Sequence, residues 1–305
     1  MIDKNLSLSD GHQIPVLGFG TWKSEKNVVG NALRTAIEVG YRHIDCAKAY
    51  GNESEIGNTL KKTFSNGKVK REEIFITSKL WNADHDPKNV AEACKDTLAD
   101  LQLDYLDLYL MHWGLAFLHE PGESILDEKG VAKLESVTIQ KTWEAMERLV
   151  DEGLVKSIGV SNFTTPMLID LLNYARIKPV MNQIEIHPYN IQEELVKFCH
   201  SRSIQLTAYS PLGGADDPEN RPIMDKTIIE IAKNYNKTPA QVILRWEIQR
   251  ELITIPKSTN MDRIKENFDI FDFELNDDEM KKISELNKNK RYVDPLKFWG
   301  IPYFN

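Results

Sequence analysis

Four residues able to move a proton or steady a charge stand at or just beyond the ends of short apolar runs. Asp45 closes YRHID (41 to 45), Tyr50 follows in the adjoining loop, Lys79 closes IFITSK (74 to 79) and His112 closes YLDLYLMH (105 to 112). An ammonium beside a phenol stabilises the phenolate and draws the tyrosine pKa down from about 10, while a carboxylate keeps that ammonium charged and fixed. In such a group Tyr50 gives a proton to a carbonyl oxygen, Lys79 and Asp45 tune it, and His112 donates a second hydrogen bond that orients the carbonyl. Taken singly, each residue has a structural reading: Asp45 as a helix cap, Tyr50 as loop packing, Lys79 as a solvated cation, His112 as a partly buried histidine. What favours chemistry is their joint placement at strand ends.

The elements that must position them follow from periodicity. Eight short apolar runs read as strands: 16 to 20, 41 to 45, 74 to 79, 105 to 112, 155 to 161, 180 to 185, 204 to 210 and 252 to 257. Amphipathic helical stretches alternate with them, several stopped by glycine, as at Gly40 and Gly153. Eight such units imply a parallel sheet, either closed as a single (β/α)8 barrel or open and doubly wound. In a barrel, the C-terminal ends of the strands ring the mouth, which brings the four residues together. Asp10-Gly11 between two alternating runs predicts an N-terminal β-hairpin (1 to 16) with a primed turn. Residues 114 to 138 and 286 to 305 lack a helical period, and such long connections are expected to serve as substrate-side loops. Nothing divides the chain, so 1 to 305 reads as one domain.

Composition narrows the partners. Hydrophobic residues make up 41% and charged residues 28% of the 305, the balance of an ordinary globular protein. A net charge of -8 and no dense basic cluster argue against nucleic acid. No run approaches the roughly 18 apolar residues of a membrane span, and the first residues carry no apolar leader, so cytosol is the simplest compartment. Three scattered cysteines, Cys46, Cys94 and Cys199, suit neither a disulfide framework nor a metal site, and the histidines show no HxH or HExxH spacing, so no metal is expected.

The runs LGFGTW, GYRHIDCAKAYGNESEIG, IFITSKLW, DLYLMHW, GLVKSIGVSNF, KPVMNQIEIHPY, AYSPLGG and IPKSTNMDRIKENFDIFDFEL occur in order and cover nearly the whole chain. Together they resemble the aldo-keto reductase family, and within it the aldose (xylose) reductases and the plant aldose-6-phosphate reductases. The resemblance implies a barrel with Asp45, Tyr50, Lys79 and His112 as the catalytic set. It also implies a nicotinamide cofactor across the mouth, so the failure of Gly18-Phe-Gly20-Thr as a dinucleotide fingerprint is no objection. On the family pattern Gly20, Thr21 and Trp22 border the cofactor, Ser161, Asn162 and Gln183 meet the nicotinamide amide, and Tyr209 stacks on its ring. Ser210 and Leu212 line the pyrophosphate. Lys257, Ser258, Thr259 and Arg263 resemble the 2'-phosphate site, which favours NADPH with NADH as a weaker alternative, and Glu266 and Asn267 resemble the adenine contacts. Trp22, Trp81 and Trp113 are expected to wall a pocket for a small aldehyde or sugar.

The substrate of the resembled groups makes Lys48 and Lys297 candidates for an anionic substrate group, with solvated lysines as the competing reading. Two other functions stay open: a regulatory barrel like the potassium-channel β subunits, and a Schiff-base aldolase using Lys79. Monomer and homodimer fit equally.

Overall fold

The computed structural model describes residues 4–25, 27–119, 124–214 and 217–304. Residues 1–3 of the expected hairpin, 120–123 of the first long connection and Asn305 of the tail lie outside them. All eight expected strands are present. After the hairpin strands β1 (Asn5–Ser7) and β2 (Gln13–Pro15) come β3 (Phe19–Gly20), β4 (His43–Asp45), β5 (Phe75–Leu80), β6 (Leu106–Met111), β7 (Val155–Ser161), β8 (Met181–Glu185), β9 (Gln205–Tyr209) and β10 (Ile253–Thr254). Strands β5 and β6 are buried along their whole length and β7 at all but Lys156, as a helix-covered parallel sheet requires.

These eight strands pair in sequence order, every neighbour parallel. Closure comes at the two edges. Leu17 bridges Thr254 in parallel, Gly18 N donates to Thr254 O (2.8 Å), Thr254 N donates to Val16 O (2.8 Å) and Gly20 N donates to Pro256 O (3.1 Å). Of the two architectures open at the sequence level, the (β/α)8 barrel is the one formed. The glycines of LGFG serve this seam. A Cβ at Gly18 would lie 2.6 Å from His43 Nδ1, and one at Gly20 would lie 2.7 Å from the Ile255 carbonyl.

Helices return the chain between strands: α1 (Val29–Val39), α2 (Glu53–Ser65), α3 (Pro87–Leu101), α4 (Ile139–Asp151), α5 (Thr165–Tyr174), α6 (Glu193–Ser201), then the pair α7 (Lys226–Tyr235) and α8 (Pro239–Gln249). Gly40 stops α1 at φ 126°, and a short turn beyond α4 has Gly153 at φ 73°. Three more helices follow β10: α9 (Met261–Phe268), α10 (Asp277–Ser284) and α11 (Pro295–Trp299). The last is a correction to the reading of 286 to 305 as irregular; Asp294 caps its first turn and Gly300 ends it.

The hairpin also differs from expectation. Leu8 N donates to His12 O and Gly11 N donates to Leu8 O, leaving a three-residue loop in which only Gly11 has positive φ (93°). A primed turn needs positive φ at its first central residue, and here the bulged loop puts the left-handed residue last. The hairpin plugs the barrel: Leu8 and Ile14 pack with Phe75, Val180, Met181 and Ile253, the residues at the start of their strands.

Candidate active site

Strand register sets the height of each functional side chain. Asp45, last residue of β4, pairs with Gly20 on one side and Thr77 on the other, while Lys79 sits opposite Leu110 and Ser161 opposite Gln183. All of them therefore lie at the exit of the barrel. Lys79, fully buried, donates from Nζ to Asp45 Oδ1 (2.7 Å), to Cys46 O (2.8 Å) and to Tyr50 Oη (3.2 Å). Tyr50 reaches this point because a short 3-10 turn, Lys48–Tyr50, swings it back over the end of β4. The His112 ring stands edge-on to Tyr50 at 5.9 Å and to Trp81 at 5.4 Å. The four residues singled out by type and position do converge.

Their electrostatics differ in one respect from the sequence expectation. Burial pushes the Tyr50 phenol well above its ordinary value, and the Asp45 carboxylate pushes it further. The lysine does not draw it down because it is in contact with Asp45, whose carboxylate prevails at the phenol. Tyr50 therefore rests as a neutral phenol. Burial, followed by the Lys79 charge, holds His112 well below the usual histidine range, so its ring is a neutral imidazole.

Around this centre runs a polar collar. Gln183 Nε2 donates to Asp45 Oδ2 (2.7 Å), Thr21 Oγ1 to Asp45 O (2.8 Å) and Ser161 Oγ to Gln183 O (2.8 Å). Asn162, held at φ 64°, donates from Nδ2 to His112 O (3.0 Å) and accepts from Tyr209 Oη (2.7 Å). The collar opens into a cavity of about 540 Å³ that also touches Gly20, Ser210, Leu212 and Lys257. Trp22, Trp81 and Trp113 all border it, as expected.

Several residues named from the sequence lie elsewhere. Ser258, Thr259, Arg263, Glu266 and Asn267 do not line the cavity. Ser258 Oγ accepts from Asn260 N (3.1 Å), Glu266 Oε1 accepts from Thr238 Oγ1 (2.7 Å), and Asn267 is buried on α9. Arg263 and Thr259 are exposed, and Arg263 lies close enough to the cavity residue Arg221 for its charge to act on that guanidinium. Lys48 is turned away from the mouth, its Nζ 2.8 Å from Asp100 Oδ2 of α3, and Lys297 is exposed on α11; neither borders the cavity. Both expectations of a substrate cation are corrected by these placements.

The cavity also holds residues that sequence reasoning missed. Lys23 and Arg221 line it, and so do Tyr292, Phe298 and Trp299 from the tail. Trp299 meets Trp113 at 5.1 Å, Trp81 at 6.0 Å and Phe117 at 4.9 Å. The tail is held by the buried Glu185, whose carboxylate accepts from Tyr292 N (2.7 Å) and Val293 N (3.0 Å). The tail was expected on the substrate side, but which of its side chains enter the cavity was not readable, because their position depends on chain that returns more than a hundred residues after β8.

The Aldo/keto reductase family model matches residues 16–288. The chain belongs to that family. It is 49% identical over 307 residues to aldose reductase C of Dictyostelium discoideum, covering 98% of this chain and 94% of that protein. It is 48% identical over 298 residues to aldo-keto reductase family 1 member A1-A of Danio rerio, covering 95% and 91%. The solved aldose reductase of Schistosoma japonicum superposes with a TM-score of 0.93 at 43% identity, covering 99% of this chain and 98% of that one. This aldo/keto reductase is accordingly an oxidoreductase enzyme that acts on carbonyl compounds, and its barrel is the architecture of those solved relatives. Among the described residues no three His, Cys, Asp or Glu side chains form a metal cluster, and no helix is long and apolar enough to cross a membrane.

Proposed function

We propose that this aldo/keto reductase reduces aldehydes, free aldoses among them, to alcohols with NADPH as reductant and Tyr50 as proton donor. The observation that carries the reading is the contact chain Asp45–Lys79–Tyr50, 2.7 and 3.2 Å long, set beside a neutral His112 in the cavity floor.

The residues present fit a phosphorylated dinucleotide. Lys23, Arg221 and Lys257 meet on one cavity in a chain of net charge -8. Burial lowers the pKa of Lys257 and Arg221; Lys23 adds to the first against an opposing Glu25, and Arg263 adds to the second against an opposing Tyr292. Cations gathered at one cavity fit a polyanion, and Lys257 with Arg263 fits the 2'-phosphate that separates NADPH from NADH. The collar of Ser161, Asn162 and Gln183 would hold the carboxamide, with Tyr209 against the ring. When bound, the nicotinamide supplies the hydride received by the carbonyl carbon. Tyr50 holds its proton until the carbonyl oxygen gains charge, then releases it. Lys79 steadies the phenolate that remains, and Asp45 keeps Lys79 charged. His112 donates a hydrogen bond to the same oxygen, and the tryptophans exclude water from it.

With Lys48 and Lys297 away from the cavity, the aromatic half of the pocket favours uncharged aldehydes over sugar phosphates. The aldolase alternative is disfavoured because all three donors of Lys79 are engaged, leaving no free lone pair for a Schiff base. The test is NADPH oxidation with glyceraldehyde, xylose and glucose 6-phosphate, each repeated with NADH. Turnover of the uncharged aldehydes with NADPH is expected. Tight NADPH binding with no turnover of any aldehyde would instead point to a regulatory barrel.

A further inference from the structure

The nitrogen of His112 that the proposed chemistry does not use is as informative as the one it does. Nδ1 of His112 is buried with no hydrogen-bond partner, which leaves Nε2 to serve the cavity. The chain leaving β5 carries three more buried atoms without partners: Nδ2 and Oδ1 of Asn82 and Nε2 of His85. The two side chains are 0% and 2% exposed. His112 N donates to Leu80 O (3.1 Å), so the exit of β5 runs directly alongside the histidine, and His85 is close enough that its protonated form would oppose protonation of His112. Burial lowers the pKa of His85 itself to about 3, so both rings are neutral at physiological pH.

A buried polar atom without a partner is costly, and native structures keep few of them. These four complement one another as donors and acceptors, and a polar site of this kind is where one ordered water satisfies several groups. The proton on a neutral imidazole has two homes, and only one serves the reaction. With the proton on Nε2, His112 donates towards a carbonyl oxygen; with it on Nδ1, Nε2 presents a lone pair and repels that oxygen. The first state needs a donor that can reach Nδ1, and Asn82 Nδ2 is a buried donor without a partner two residues beyond Leu80, whose carbonyl accepts from His112 N.

We propose that Asn82, assisted by His85, is a positioning residue that keeps the His112 proton on Nε2 by donating, through one bridging water, to Nδ1. The catalytic consequence rests on the role given to His112 above, whereas the tautomer can be read independently of it. The experiment is two-bond ¹H–¹⁵N correlation on the histidine-labelled full chain, with His112 assigned by loss of its signal in His112→Gln. In parallel, kcat for glyceraldehyde and the NADPH dissociation constant are measured. Wild type should show Nε2–H only. Asn82→Leu should show a mixture of tautomers and a kcat lower by about tenfold with NADPH affinity unchanged. Asn82→Ser, which keeps a donor, should restore most of both. If Asn82→Leu does not fold, Asn82→Ala removes the donor without adding bulk and reads the same way. A pure Nε2–H signal in the donorless variant would overturn the proposal, whatever the kcat. A shifted tautomer with unchanged kcat would uphold the positioning and instead overturn the role assigned to His112.

Discussion

At the end of the barrel where the strands begin, Leu8 and Ile14 of the hairpin fill the bore against Phe75, Val180 and Met181. Where the strands finish, the bore is lined by Asp45, Lys79, Gln183 and His112, an ion pair and two polar side chains that are all buried. The first end is held by apolar burial, which any residues of suitable volume supply. The second is held by specific hydrogen bonds and an ion pair, and burying that pair yields little net stability in itself. The difference teaches where each end is sensitive: the plug end should answer substitutions in stability, the mouth in turnover.

The largest expected effect is at Lys79. Lys79→Met leaves Asp45 buried without its cation, so both turnover and stability should fall, the latter by about 3–5 kcal/mol, measured by denaturant unfolding. A variant as stable as wild type would show that the mouth is not held as described. Next comes the plug: Ile14→Ala should lose about 2–5 kcal/mol while kcat with aldehydes stays within twofold of wild type, a factor set at roughly the limit of a neutral change. If kcat fell in step with stability, the separation between the two ends would fail.

A smaller effect separates the cofactors. Lys257→Ala should weaken NADPH about tenfold by fluorescence titration and leave NADH nearly unchanged, because only the 2'-phosphate loses a partner. Equal weakening of both would move Lys257 from the 2'-phosphate to the shared pyrophosphate.

A last effect, absent at low pH and growing across the window, sharpens the comparison through pH. Glu53, buried beneath the mouth with Ser78 Oγ 2.5 Å from its Oε1, has its pKa raised to about 7, burial being the main cause. The folded state therefore holds this proton more tightly than the unfolded state. The penalty for ionising the carboxyl appears as pH rises from about 4.5, its unfolded value, to about 7. Burial lowers His43 to about 4 and works in the opposite sense: its contribution is lost as pH falls below about 6.5. A difference measurement separates the two. Glu53→Gln should gain stability relative to wild type as pH rises across that window, by at most roughly 3 kcal/mol. A gap that did not change with pH would mean that Glu53 ionises freely in the fold.

The strands were legible because each is an apolar run of the right length bounded by polar residues, and the four residues of the floor were legible because each ends or follows such a run. The turn at Asp10-Gly11 was misread because the sequence shows which residue tolerates positive φ but not where in the loop it falls. Helix α10 carried a readable signal, Asn276 with Glu279 three residues on, a capping box whose two bonds are both formed. Lys48 could not be placed from the sequence because its partner Asp100 arrives on a different helix. The same holds for Arg221, Tyr292 and Trp299, which reach the cavity from the segment after β9 and from the tail. Residues fixed by their own strand are readable, and those fixed by a distant fold-back are not.

The most direct measurement is single-turnover reduction of glyceraldehyde by the NADPH complex of Tyr50→Phe, beside the NADPH dissociation constant of the same protein. The variant removes the one hydroxyl that accepts from Lys79 in the floor and leaves the cation cluster untouched. Turnover should fall by about 10²–10⁴ with NADPH binding unchanged. Turnover within a few fold of wild type would contradict the assignment of Tyr50 as proton donor, and with it the reading of the Asp45–Lys79–Tyr50 chain.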